Sequence, residues 1–170
     1  MSPLIAQSPL PAGTAHSVPE ALALLRDDHD ALREVFHRYR RLAGQGASAA
    51  DRAALAQRAC TMVEMHASIG EELVYPAAAD AATGADAGED DLIRMTGVEC
   101  ETCRKIIRQV RAACPTEPRF DALMLALAQC VERRLRREEA QLFGRVRRAH
   151  VDLADLGRRI RRRHEAWLAS

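Results

Sequence analysis

A chain of 170 residues with 25 basic and 24 acidic side chains is close to charge balance, which argues against a dedicated polyanion binder. The length fits one domain with a sizeable core, and only 4% aromatic residues beside abundant Ala and Leu favour helices over sheet. No apolar run approaches the length needed to cross a bilayer, so a membrane partner is not expected.

The opening MSPLIAQSPLPAGTAHS is rich in Pro, Ala, Gly and Ser and lacks the basic start and apolar core of a signal peptide. Residues 1–16 are therefore expected to be a flexible tail, residues 17–170 the folded domain, and the cytoplasm its location. Five cysteines (Cys60, Cys100, Cys103, Cys114 and Cys130) all fall in helical segments, as reduced thiols would. Ser17, Pro19 and Glu20 have the form of a capping box with proline in the first turn. Leu22, Leu25, His29, Leu32, Phe36 and Tyr39 then share one helical face that ends near Gly44. Asp27, Asp28, Asp30, Arg33 and Arg40 lie off that face and are expected to be wet; His37 is also off it and receives no role.

Ser48 can cap a second helix, with Leu55, Ala59, Met62, His66, Ile69 and Leu73 as its inward stripe. Pro76 is expected to end or kink it, because proline clashes with the preceding turn and donates no hydrogen bond. Residues 80–90 read as a loop or frayed end. A third helix from Asp90 or Asp91 turns Ile93, Thr96, Cys100, Cys103, Ile107 and Val110 inward and stops at Cys114-Pro115. Thr116 can cap a fourth, whose inward line runs Leu123, Leu127, Cys130, Arg134, Glu138 and then Gln141 or Leu142, fading near His150. A short helix from Asp152 carries Leu153, Leu156, Ile160 and Trp167 among many arginines, and is expected to close the bundle end and not to bind nucleic acid or membrane. These elements make an all-α fold: an antiparallel up-down-up-down four-helix bundle with a short C-terminal fifth helix.

Each long helix thus places a polar group on its inward stripe: His29, His66, Cys100 with Cys103, and Arg134 with Glu138. Depth counted from the appropriate helix end puts all of them in one layer. Unpartnered buried polar groups cost about 1–3 kcal/mol each, so such a layer must be either a hydrogen-bonded network or a metal site. Imidazole, thiolate and carboxylate are donors suited to zinc or iron, and spacing alone leaves both accounts open.

From Val18 to Trp167 the chain resembles the hemerythrin-like, HHE cation-binding domains. The resemblance rests on ALALLRDDHDAL around His29, MHASIGEELVYPA around His66, VECETCRKII, VERRLRREEAQLFGRVRRA and the terminal VDLADLGRRI. It implies a four-helix bundle built around a non-haem di-iron centre, in relatives that bind oxygen, handle peroxide or nitric oxide, store iron or sense. It also implies that His29 and His66 are the first- and second-helix ligands. Gly70 stands where many members place a bridging glutamate, and Gly97 where another carboxylate is common. Cys100 and Arg134 stand at the third- and fourth-helix histidine positions, and Glu138 keeps its carboxylate. A conventional di-iron centre is not expected from this set.

Three readings follow. One is a single zinc or iron ion held by His29, His66, Cys100 and either Glu138 or a water, with Cys103 as an alternative to Glu138 and Arg134 as a charge substitute for the second metal. Another is a metal-free helical scaffold with a buried Arg134–Glu138 pair. The third is a thiol redox sensor using Cys100, Cys103 and Cys130, in which a thiol beside Arg134 would have a lowered pKa. No nucleophile with its base, phosphate loop or acid/base dyad is apparent, which points away from a turnover enzyme. Monomer and dimer are equally compatible with the sequence.

Overall fold

The computed structural model describes residues 20–79, 87–149 and 151–169. The expected N-terminal tail and the Ser17 cap lie outside them, as does the start of the expected loop at 80–86. Among the described residues the fold is all-helical: α1 (Glu20–Gly44), α2 (Ala49–Ile69), α3 (Tyr75–Ala79), α4 (Ala87–Ala112), α5 (Pro118–Arg137), α6 (Phe143–Arg148) and α7 (Leu153–Leu168). No helix is long and apolar enough to cross a membrane. α4 packs on α5, α1 on α2 and on α7, and α2 on α4.

Two of the joins are single π turns, Gly70–Val74 between α2 and α3 and Glu138–Leu142 between α5 and α6. Each is closed by a bond five residues back, from Tyr75 N–H to the Gly70 carbonyl and from Phe143 N–H to the Glu138 carbonyl. Pro76 therefore does not end the helix as expected. The wider turn before it accommodates the ring, and the helix runs on to Ala79. The extra residue also rotates the inward face, so Val74 and Tyr75 are buried where Leu73 was expected to be.

Other expectations shift slightly. Ser48 caps α2 through a bond from Asp51 N–H, as the sequence indicates. α4 begins at Ala87, earlier than Asp90, and Leu92 is buried with Ile93 only partly so. Glu117, not Thr116, is the cap residue of α5, with Pro118 in its first turn; the Thr116 hydroxyl meets the Cys114 sulfur instead. Met124 takes the buried place expected of Leu123, and of the two candidates Gln141 and Leu142 it is Leu142 that is buried. α7 starts from Asp152, which accepts bonds from Ala154 and Asp155, and lays Leu156 and Ile160 into the core. It approaches so closely at Gly157 that a Cβ there would sit 3.2 Å from the Ala21 amide nitrogen.

The apolar core is divided into two clusters. One gathers Leu32, Phe36, Val63, Cys103, Ile107, Cys130 and Leu135; the other gathers Leu22, Leu25, Ile69, Tyr75, Cys100, Leu142, Phe143 and Ile160. Along the chain the order of the clusters reverses from α1 to α2, again in α4 and again in α5. The boundary falls at His29, at His66, between Cys100 and Cys103, and at Arg134 to Glu138, which is the polar layer the spacing predicts.

Candidate metal centre

Glu138, at the start of the second π turn and only 3% exposed, is the hub of this layer. Its Oε2 lies 3.0 Å from His29 Nε2 and 3.0 Å from His66 Nε2. Its Oε1 accepts from Arg134 Nε at 2.8 Å and from the Tyr75 hydroxyl at 2.9 Å. Arg134 also donates from Nη2 to the Tyr75 oxygen at 2.9 Å. The four side chains come from α1, α2, α5 and α3, so the layer ties together most of the molecule.

The imidazoles are oriented from behind. His29 Nδ1 lies 2.8 Å from Glu139 Oε1, and Glu139 is in turn held by the Arg33 guanidinium. His66 Nδ1 faces Asp28 Oδ2 at 3.6 Å, too far for a hydrogen bond, and is left as a buried nitrogen without a partner. His164 of α7 lies 3.0 Å from the same Asp28 oxygen. Asp28, expected to be wet from its place off the stripe, is instead largely buried, its side chain 12% exposed, and serves the layer from its edge, while the Arg33 side chain stays 34% exposed.

The electrostatics follow from this packing. Burial would push the Glu138 carboxyl up, but Arg134, and after it His66, holds it well below the usual carboxylate range. Burial likewise opposes charge on His66, and the Glu138 and Asp28 carboxylates overcome it to raise its pKa. The Arg33 guanidinium, with His29 behind it, lowers Glu139. Burial pushes the Cys100 thiol up, outweighing the Arg134 charge nearby, so the lowered pKa expected beside Arg134 does not arise.

Among the described residues, His29, His66 and Glu138 are brought together with one donor atom each, all within 4.8 Å of one another. Cys100 and Cys103, read from the sequence as further ligands, are not in this group. The Cys100 sulfur is 3.8 Å from the Tyr75 oxygen, and the Cys103 sulfur is 3.1 Å from that of Cys130. The physical reason is that Arg134 and Tyr75 already occupy the second oxygen of Glu138. Gly97, the other departed position, is exposed. Gly70 is filled from outside: a Cβ there would lie 2.8 Å from both the Tyr75 ring carbon Cζ and its oxygen.

His29, His66 and Glu138 could hold a metal ion. Both Nε2 atoms face one carboxylate oxygen, and both Nδ1 atoms face a carboxylate, the arrangement in which a ligand histidine donates its other N–H to an outer acceptor. The remaining space around Glu138 holds a buried guanidinium and a phenol. Sequence reasoning did not find Tyr75, Glu139, Asp28 or His164. The tandem acids Glu138-Glu139 were the available signal for one of them, since adjacent carboxylates on a helix serve two sides of a buried group.

Comparison with known proteins matches residues 20–146 to the hemerythrin HHE cation-binding domain. No curated protein and no solved structure matches the chain.

Proposed function

The chain belongs to the hemerythrin HHE cation-binding family, and from that premise we propose that it is a metal-binding protein with a mononuclear centre. His29 Nε2, His66 Nε2 and Glu138 Oε2 would hold the ion. Arg134 stands in for the charge of a second metal, and Tyr75 fills the space beside it. The observation that carries the reading is the paired orientation: two buried imidazoles aim Nε2 at one carboxylate oxygen while carboxylates stand behind both Nδ1 atoms. The up-down-up-down order of the four long segments belongs to the same reading and is supported by the alternating order of the two core clusters.

A carboxylate only accepts hydrogen bonds. Without an ion, each ring meets the Glu138 oxygen through an N–H on Nε2. With an ion on Nε2 it keeps only the one on Nδ1. A cation held by both rings would therefore take the place of those Nε2 protons. Two histidines and a glutamate suit zinc, which would act as a Lewis acid, and equally iron(II), which would add redox chemistry. Around the ion, the protein's own groups keep Glu138 ionised, fix both ring orientations, and offer the Tyr75 hydroxyl as a proton donor toward the centre.

One observation favours a second reading. Glu138 already accepts from four donors, so its hydrogen bonds are met in a metal-free scaffold, with His66 Nδ1 left without a partner. Elemental analysis of protein purified without chelator decides between them. Near one zinc or iron per chain, lost in His66→Ala, supports the centre; only trace metal leaves the scaffold; two ions per chain overturn the role given to Arg134.

A further inference from the structure

The layer just below the metal centre contains a feature that the proposed function does not use. We propose that Cys103 and Cys130 form an oxidisable pair that hydrogen peroxide converts into a disulfide, clamping α4 to α5. The two sulfurs are 3.1 Å apart, and each residue is only 1% exposed. A disulfide needs about 2.05 Å, so closure requires a movement on the order of 1 Å across the closely packed α4–α5 seam.

The surroundings divide the work between the two thiols. Cys103 donates its S–H to the Cys130 sulfur, and that bond, reinforced by Arg133 and Arg134, lowers Cys130 below the ordinary thiol value against the effect of burial. The same bond, together with burial, raises Cys103. Cys130 is therefore the attacking sulfur and Cys103 the resolving one. Cys100, one turn before Cys103, is turned toward Tyr75, so the CxxC spacing in α4 is not the reacting pair. The Cys130 sulfur sits 3.9 Å from the Glu99 carbonyl. Glu99 also pairs with Arg137 of α5, their side chains 12% and 28% exposed.

The chemistry balances. The Cys130 thiolate attacks one oxygen of the peroxide and the O–O bond breaks, giving the sulfenic acid and a hydroxide that leaves as water. The Cys103 sulfur then attacks the sulfenic sulfur and the S–O bond breaks. The departing hydroxide takes the Cys103 proton as the second water. Two thiols and one peroxide become one disulfide and two waters, with two electrons passing from sulfur to oxygen.

The test uses the full chain, held in chelator so that metal plays no part, with the exposed Cys114 as an internal measure of oxidant reach. After peroxide treatment the protein is denatured, alkylated and mapped by mass spectrometry. A Cys103–Cys130 linked peptide is expected, with Cys60 and Cys100 still alkylated. In Cys103→Ser the reaction should halt at a Cys130 sulfenic acid that dimedone captures, while Cys130→Ser should yield neither product. A Cys100–Cys103 link would overturn the proposal. So would full alkylation of Cys103 and Cys130 at peroxide doses that consume Cys114.

Discussion

Replacing Arg134 by leucine is the most revealing perturbation of this molecule. The guanidinium is 1% exposed and bonds both Glu138 Oε1 and the Tyr75 oxygen, so its removal leaves a buried carboxylate short of its nearest countercharge. Stranding one partner of a buried pair costs about 3–5 kcal/mol. For a domain of this size 1 kcal/mol moves the thermal midpoint by roughly 2–4 °C, so the metal-free variant should melt about 6–20 °C lower. Adding Glu138→Gln should recover much of that loss. The amide hydrogens can point at two Nε2 acceptors, and its oxygen can accept from Tyr75. The assay is thermal and urea unfolding of the two single variants and the double variant, in chelator and again with excess zinc. Because a bound cation would itself neutralise Glu138, the loss in Arg134→Leu should shrink when zinc is present. A change within about 1 kcal/mol in chelator would show that the side chain is solvated and that the charge-substitution argument is mistaken; a loss of equal size with and without zinc would show that the ion does not bind at Glu138.

Three further outcomes are expected. His164→Ala should weaken metal binding by about 10–100-fold in a competitive chelator titration, because it frees Asp28 from its position behind His66. Arg134→His with Gly70→Glu should not raise metal stoichiometry until Tyr75→Ala is added, since a side chain at position 70 runs into the Tyr75 ring; a second ion bound with Tyr75 intact would refute this. Burial pushes the Cys60 thiol up to about 11, whereas the unfolded thiol titrates near its ordinary value. Its folded pKa is the higher one, so the stability it supports is complete at neutral pH and is lost between about pH 8.5 and 11, by about 3 kcal/mol. Cys60→Ala should flatten that alkaline decline in urea unfolding; an unchanged pH profile would count against it.

The helical stripes were legible because apolar spacing in amphipathic helices is imposed by burial, and the same spacing revealed that His29, His66, Arg134 and Glu138 share one depth. Other features were hidden for physical reasons. Tyr75 looked like the residue before a helix-breaking proline, and only the added residue of the π turn carries it inward. Asp28 and Glu139 stand one position from the inward residues, close enough for a flexible carboxylate to reach back to a ring nitrogen but off any periodic pattern. His164 belongs to a different helix altogether. Cys130 was legible as lying on the stripe that faces Cys100 and Cys103, but which of the two it meets depends on the α4–α5 register, which the sequence does not encode locally.

Each π turn amounts to a one-residue insertion that a long helix has absorbed without breaking. Deleting a residue from Gly70–Val74 would restore a regular α-helix and turn everything beyond it by about 100°. Tyr75 would swing away from Glu138, and the small face of Ala77 and Ala78 would leave the core. The length of this helix, counted to the single residue, therefore decides whether the space beside Gly70 is closed by a phenol or left open. A gap of one in a sequence alignment at this point would mark a different cavity, even where every other side chain is the same.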